Sequence, residues 1–143
     1  MKVEVIVEVR PTEDPEKVKK ALLNVFEPEE IETRAEGEST LLIAKATSYR
    51  SLLKLKEAIW RQGIQDAARS VLSRSVAGEG RLVFNLNKQA AYVGVVSFAT
   101  EPNESPLGPI VFNVETSDVR RFLDWIAPRT YKGRVFYEGP PPD

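Results

Sequence analysis

Residues 2–10 read KVEVIVEVR, and this alternation of valine with charged residues decides the fold. Successive side chains of a β-strand point to opposite faces of the sheet. The four valines from Val3 to Val9 therefore share one face, and the charged residues share the other. The stretch predicts an opening strand that rests one face on a hydrophobic core.

The residues that follow predict a helix and then a β-hairpin. Asp14 before Pro15 is typical of an N-cap followed by proline at the first helical position. Apolar residues then recur at helical spacing, which predicts a helix over residues 14–26 that Pro28 stops. Beyond it, alternating residues flank a turn at residues 36–38, so we expect a hairpin there.

Two helices are predicted in the middle of the chain. The first covers residues 48–62 and ends or kinks at Gly63, and the second covers residues 64–75. Leu53 and Trp60 form an extra apolar flank on the first helix. This flank predicts that a neighbouring helix or a partner chain covers the helix from a second direction.

The second half of the chain is dense in β-branched and aromatic residues. We read residues 77–80 as a connector and expect strands at 82–86, 92–98 and 110–114. Ser117 is expected to cap a last helix, which stops at Pro128.

These elements predict one α+β domain over residues 1–128, in the order βαββα(α)βββα. Its sheet is expected to be rich in antiparallel pairs, with the helices packed on one face. Residues 129–143 are expected to form a mobile C-terminal extension, with a short strand around 135–137 and a proline-rich end.

The composition excludes most familiar catalytic chemistry. The 143 residues contain no cysteine and no histidine, so disulfides, thiolate nucleophiles and the commonest general base are absent. The spacing of the carboxylates matches no known cation motif. We therefore expect no metal site, no cofactor and no enzymatic activity.

The sequence also predicts the compartment. No apolar run approaches the roughly 18 residues of a membrane helix, and the first residues read as a strand instead of a signal peptide. We expect a cytoplasmic protein that does not enter a membrane.

Positive charge is concentrated in the middle of the chain. The whole chain has a net charge of −1, but residues 48–91 hold 8 basic and 3 acidic groups. Such a segment predicts contact with phosphates, or else a solvated helix face in a charge-rich protein. The candidate phosphate contacts are Arg50, Lys54, Arg61, Arg69 and Arg74.

Two further polar segments stand between apolar strands. Residues 85–91 read NLNKQAA, and their amides either close a strand connection or face a ligand. The candidate ligand contacts there are Asn87, Lys88 and Gln89. Residues 105–109 read SPLGP, and the spacing of Ser105, Pro106, Gly108 and Pro109 predicts a rigid corner.

Several of these motifs resemble a small archaeal family of uncharacterised proteins. The stretches that carry the resemblance are residues 84–91 with Gly94 and Phe98, residues 105–110, residues 66–69 with Leu72 and Arg74, and residues 124–128. The resemblance covers Val3 to Pro128. It implies a fold like that of the large-subunit ribosomal protein that binds 5S RNA, a homodimer, and a link to RNA metabolism or the exosome. It supplies no catalytic residue.

Three functional hypotheses follow. The first is a non-enzymatic protein that binds RNA through the candidate contacts named above. The second is a homodimeric interaction module in which Leu53 and Trp60 belong to the dimer contact. The third, an enzyme that acts on a phosphorylated small molecule held by Arg81 and Lys88, lacks a credible base.

Overall fold

A six-stranded antiparallel sheet forms the centre of the computed structural model, which describes residues 1–100, 107–135 and 137–143. The strands are β1 (Lys2–Val9), β2 (Glu30–Glu36), β3 (Ser39–Ala46), β4 (Val76–Gly78), β5 (Arg81–Asn87) and β6 (Pro109–Glu115). Their order across the sheet is β2-β3-β1-β6-β5-β4. The opening strand therefore lies inside the sheet, between β3 and β6.

Five helices pack against this sheet. They are α1 (Pro15–Val25), α2 (Leu53–Gln62), α3 (Gln65–Arg74), α4 (Lys88–Tyr92) and α5 (Val119–Ile126), and a 3₁₀ turn (Tyr49–Leu52) leads into α2. The structure is the single-domain α+β fold that the sequence predicts, and the element order roughly matches the prediction.

The core lies between β1 and the helices. The four valines of β1 are all buried, as their alternation predicts. Val5 pairs across the ladder with Ala44 on β3 and with Phe112 on β6. Phe112 is fully buried, and its ring stacks on Phe84 with 4.9 Å between centroids. Burial of such large rings contributes much of the stability of a domain of this size.

The helix ends follow the local sequence. The Asp14 carboxylate accepts a hydrogen bond from Glu16 N, so α1 has the predicted N-cap. Gly63 ends α2 with a φ of +67°, a conformation in which glycine costs least. The cap of α5 is Asp118, one residue after the predicted Ser117, because the Asp118 carboxylate accepts from Arg121 N.

The predicted strand at residues 92–98 is wrong. Helix α4, capped by the Asn87 side chain, which accepts a hydrogen bond from Ala90 N, ends at Tyr92, where the strand was predicted to begin. Gly94, with a φ of +79°, follows the helix end, and the residues after it are irregular. Only Phe98 returns to the sheet, through an isolated bridge to Leu86. The β propensity of residues 92–98 was therefore outweighed by the helix cap and by tertiary packing.

The predicted connector at residues 77–80 and the predicted corner at residues 105–109 can be compared with the strands that they border. The predicted connector at 77–80 begins inside β4, which pairs with β5 at the edge of the sheet. In the predicted corner, Ser105 and Pro106 lie outside the described residues. Gly108 has a φ of +86°, and Pro109 starts β6 opposite Asn87.

The C-terminal segment packs against the domain. Strands β7 (Thr130–Tyr131) and β8 (Arg134–Val135) form a small hairpin. Gly139 N donates a hydrogen bond to Asp124 O at 3.0 Å. The Asp143 carboxylate accepts hydrogen bonds from the Thr116 hydroxyl at 2.6 Å and from Ser117 N at 3.1 Å. The last residues are therefore held close to the start of α5.

Candidate nucleic-acid interface

Arg50 in the 3₁₀ turn and Lys54 and Arg61 in α2 recur at helical spacing, and we call these three cations the α2 stripe. Lys56, also in α2, pairs instead with the Glu138 carboxylate. Arg50, Lys54 and Arg61 are all exposed. The Lys54 ammonium donates to Leu23 O, near the end of α1, at 2.9 Å. The Arg61 guanidinium donates to Gly94 O at 3.0 Å. These two contacts direct the stripe toward α1 and toward the segment that follows α4.

Helix α1 adds a cation to the same region. The Lys20 ammonium lies 5.1 Å from the ring centroid of Tyr92. Asn24 Nδ2 donates to Ala91 O and Tyr92 O, at 2.9 and 3.1 Å, which fixes α1 against the end of α4. We define the basic face by Lys20, Arg50, Lys54 and Arg61.

Sequence reasoning missed Lys20. The signal was present, because residues 17–20 read KVKK. The first third of the chain has a negative net charge, so its basic residues did not stand out. A segment's net charge does not show which side chains share a surface. Only the packing of α1 against α4 places Lys20 beside the α2 stripe.

The cations of the basic face keep donors for a ligand. An ammonium has three N–H donors and a guanidinium has five. The bonds to Leu23 O and Gly94 O use one donor each. Lys54 also complements the carboxyl end of α1, whose last turn contains no basic residue. Each of these side chains can thus stabilise the fold and still donate to a phosphate oxygen.

An apolar tip lies next to Arg61. Val93 is 70% exposed and Val95 is 42% exposed. The Gln62 side chain donates to Val96 O and accepts from Val96 N, which holds the segment against the end of α2. The basic face therefore borders a small exposed apolar surface.

Lys88, one of the predicted ligand contacts, is buried inside the fold. The residue is 3% exposed. Its ammonium donates to Glu8 O and Leu107 O, both at 2.7 Å, and pairs with the Glu13 carboxylate at 3.0 Å. Since all three donors are directed at protein oxygens, Lys88 stabilises the fold, and its contact with a ligand stays a prediction.

The two neighbours of Lys88 differ from it. Asn87 Oδ1 caps α4 by accepting from Ala90 N at 2.9 Å. Gln89 is exposed in the first turn of α4. The ligand contact of Gln89 stays a prediction, whereas the Asn87 side chain stabilises the start of α4.

Arg69 is also engaged within the fold. Its guanidinium pairs with the Asp124 carboxylate at 2.9 Å and donates to Ala127 O at 3.4 Å. The side chain is 13% exposed. The pair connects α3 to α5, and a contact of Arg69 with phosphate stays a prediction.

Arg74 lies apart from the basic face. It is exposed at the end of α3 and donates to the Ser70 hydroxyl at 2.7 Å. It lines a shallow cleft with Ser75, Asn85 and Thr100. The eight predicted ligand contacts therefore do not form one surface.

The predicted dimer flank is covered from inside the chain. Trp60 Nε1 donates to Ile126 O at 3.1 Å, and Lys56 lies over its ring at 4.7 Å from the centroid. Helix α5 is thus the neighbouring helix that the extra flank predicts. Leu53 is 37% exposed. The homodimer stays a prediction.

A cleft of about 840 Å³ lies at one end of the sheet. Its walls include Lys2, Glu4, Lys45, Arg81 and Glu115. Opposite charges face each other across the ladder, since Glu115 pairs with both Lys2 and Arg81, and Lys45 pairs with Glu4. Arg81, an anion ligand in the enzyme hypothesis, also donates to Asn113 Oδ1. The cations of this cleft therefore have carboxylates as ladder neighbours, which makes the cleft less suited to an anionic substrate than a purely basic one.

Metal and membrane binding can be assessed for the same residues. Within 1–100, 107–135 and 137–143, no group of three or more His, Cys, Asp or Glu side chains could hold a metal ion. No helix in these ranges has both the length and the apolar composition needed to cross a membrane.

Comparison with known proteins identifies the family. A family model described as RNA binding matches residues 2–116. A UPF0201 protein from Pyrobaculum neutrophilum is 66% identical over 143 residues, which is 100% of both chains. The chain belongs to the archaeal UPF0201 family.

Solved structures of the UPF0201 family and of DUF54 proteins share the fold. The UPF0201 structure from Methanococcus jannaschii is 36% identical, with a TM-score of 0.80 over 95% of this chain and 99% of that one. A DUF54 protein from Methanothermobacter thermautotrophicus is 27% identical, with a TM-score of 0.60 over 80% of this chain and 82% of that one. The likeness to the 5S-RNA-binding ribosomal protein stays a prediction.

The matched range places the basic face within the family model. Lys20, Arg50, Lys54 and Arg61 all lie between residues 2 and 116. The hairpin of β7 and β8 lies outside that range.

Proposed function

We propose that this UPF0201 chain binds RNA through the basic face. The observation that carries the proposal is the gathering of Lys20, Lys54 and Arg61 around the ends of α1 and α4. The match of residues 2–116 to a model described as RNA binding supports it independently.

The chemistry of these side chains suits a phosphate backbone. Lysine supplies a compact point charge, and arginine supplies several donors in a planar fork. Contacts of this kind position a nucleic acid without reading its sequence. The basic face is therefore expected to give affinity, with little preference between RNA sequences.

Other cations of the chain are less suited to this role. Lys88 and Arg69 are buried or half-buried in ion pairs. Lys45 lies 3.5 Å from the Glu32 carboxylate, and Arg10 lies 2.8 Å from the Glu8 carboxylate. Lys54 and Arg61, in contrast, are exposed and donate to backbone carbonyls. Neither side chain forms an ion pair within the described part of the chain, although the exposed Glu57 lies at helical spacing from both.

Three finer statements belong to the same proposal. The resemblance of the sequence motifs supports a role in RNA processing linked to the exosome. The absence of histidine and cysteine supports binding without catalysis. The third statement is a cytoplasmic site of action, which the proposed binding of RNA supports.

Equilibrium binding tests the proposal. Fluorescence anisotropy of a labelled structured RNA would compare the wild type with the triple variant Lys20→Gln, Lys54→Gln, Arg61→Gln. We expect the triple variant to lose at least tenfold in affinity, because each neutralised cation removes a phosphate contact.

A matched control separates location from overall charge. Arg34, Arg74 and Arg120 are exposed and lie outside the basic face. Their replacement by glutamine changes the net charge by the same amount. The proposal requires that this control retain nearly full affinity. Equal losses in both triple variants would show non-specific attraction and would overturn the basic face as a site.

A further inference from the structure

The segment after Pro128 combines positive charge with exposed aromatic rings. Residues 129–137 read RTYKGRVFY, with three basic residues and no acidic residue. This stretch is positively charged although residues 92–143 as a whole have a net charge of −2. We call residues 129–135, which contain β7 and β8, the C-terminal hairpin.

The rings of this segment are available to a ligand. Tyr131 is 66% exposed and Tyr137 is 58% exposed. The phenylalanines of the sheet offer no such surface, because Phe84 and Phe112 are buried. Among residues 1–100, 107–135 and 137–143, these two tyrosines are the aromatic side chains with more than half of their surface exposed.

Two cations of the hairpin lie beside the Tyr131 ring. Tyr131 pairs with Arg134 across the hairpin, so both flank its two-residue turn. The Lys132 ammonium lies 5.5 Å from the centroid of the Tyr131 ring. Arg129, Lys132 and Arg134 are all exposed, and none forms an ion pair within the part of the chain that the structure describes.

The turn itself places a cation at the tip. Lys132 and Gly133 have φ values of +51° and +76°, as a tight type I′ turn requires. Asparagine or glycine is favoured at the first of these positions, and lysine is uncommon there. Residues held in sparsely populated backbone conformations cluster at ligand-binding sites.

The hairpin is held firmly against the domain. Asp66, in the first turn of α3, accepts hydrogen bonds from both the backbone N–H and the hydroxyl of Thr130. The bonds from the Thr130 hydroxyl and backbone N–H lower the pKa of the Asp66 carboxyl. A base that stacks on Tyr131 thus meets a ring whose strand is already fixed, which lowers the entropic cost of binding.

From this combination we infer that the C-terminal hairpin and Tyr137 bind single-stranded RNA, with bases stacked on the tyrosines and phosphates held by Arg129, Lys132 and Arg134. Proteins that bind single strands pair aromatic platforms with cations in this way. A duplex keeps its bases stacked inside and offers these rings no partner. The inference rests on the proposed RNA-binding function and names the class of RNA that the protein prefers.

Stacking variants test the inference. The probes are a short labelled oligouridine, which stays single-stranded, and an RNA duplex of equal length. We expect Tyr131→Leu and Tyr137→Leu each to weaken oligouridine binding about tenfold, a typical loss for one stacked base. Tyr131→Phe and Tyr137→Phe retain a ring and are expected to bind like the wild type. Duplex binding is expected to be unchanged in all four variants, and thermal unfolding checks that they are folded.

The outcomes separate this inference from the proposed function. If the leucine variants bind oligouridine as tightly as the wild type, the hairpin is not a stacking site, and a loss confined to the basic-face variant keeps the proposed function. If the leucine variants lose binding and the basic-face variant does not, the hairpin is supported and the basic face is overturned. If the wild type binds neither RNA, both fail.

Discussion

The ammonium of Lys88 and the carboxylate of Glu13 form a buried ion pair, with 3.0 Å between Nζ and Oε1. The side chains are only 4% and 8% exposed. Lys88 also donates to Glu8 O at the end of β1 and to Leu107 O just before β6. One cation thus ties together α4, the loop before α1, and the ends of two neighbouring strands.

Removal of this cation should destabilise the fold. Lys88→Met leaves the buried Glu13 carboxylate without its cation and removes a donor from two carbonyl groups. Breaking a buried ion pair in this way typically costs about 3–5 kcal/mol. We expect a loss of this size in the free energy of unfolding, measured by urea denaturation. RNA affinity of the folded variant is expected to be unchanged. A stable variant with weakened RNA binding would show that Lys88 contacts the ligand after all.

The pair between Arg69 and Asp124 predicts a similar but smaller effect. Hydrogen bonds to charged groups contribute about 1.5–3 kcal/mol, and this pair is half-buried between α3 and α5. Arg69→Met is expected to lower the free energy of unfolding by that amount, while RNA affinity stays the same. When Asp124→Asn is added to the Arg69→Met variant, it should lower the free energy of unfolding less than it does in the wild type. The reason is that Arg69, the partner of Asp124, is already absent. Strictly additive losses would argue against the pair.

Two glycines provide a matched test of backbone constraint. Both have a positive φ, +59° at Gly37 and +70° at Gly80. A Cβ at Gly37 would meet no heavy atom within 4 Å, whereas a Cβ at Gly80 would lie 2.5 Å from Thr116 O. Gly37→Ala should therefore cost only the conformational penalty of about 1–2 kcal/mol. Gly80→Ala should cost clearly more in thermal or urea unfolding, and equal costs would refute the close approach of this turn to β6.

The docking of the C-terminus predicts a pH dependence. Hydrogen bonds from Thr116 and Ser117 hold the pKa of the Asp143 carboxyl well below its ordinary value, and the N-terminal amine of Met1 adds to this effect. A carboxyl with a lowered pKa in the folded state stabilises above its unfolded pKa of about 3.9, and this stabilisation fades as the pH falls below that value.

Comparison with Asp143→Asn isolates this carboxyl. The variant is expected to be less stable than the wild type at pH 7. The difference should shrink steadily as the pH falls below about 4, where the Asp143 carboxyl of the unfolded chain begins to be protonated while that of the folded chain is still ionised. Chemical denaturation at a series of pH values measures it. A difference that stays constant in acid would mean that the carboxylate makes no special contribution.

Local patterns predicted most of the fold. The valine alternation of β1, the cap at Asp14 and the break at Gly63 each depend on a few neighbouring residues, and all three are confirmed. The strand expected at residues 92–98 failed for a different reason. Its β-branched residues favour a strand, but the cap at Asn87 and the bonds of Gln62 to Val96 fix another conformation.

The candidate site was harder to predict, because burial and pairing are tertiary properties. In the sequence, Lys88 and Arg69 look like Lys54 and Arg61, yet the first two meet carboxylates brought from distant segments. Lys20 joined the basic face only through the packing of α1 on α4. A charge count along the chain cannot distinguish these cases, since it contains no information on which side chains meet.

The salt dependence of RNA affinity tests the central claim most directly. For each phosphate that a cation neutralises, the logarithm of the association constant falls with the logarithm of salt concentration by a slope of about 0.9 for a duplex and 0.7 for a single strand. Anisotropy titrations at several salt concentrations would compare the wild type with the triple variant of Lys20, Lys54 and Arg61. We predict a steep slope for the wild type and a slope smaller by about two to three in the variant. Identical slopes in the two proteins would contradict RNA binding at the basic face.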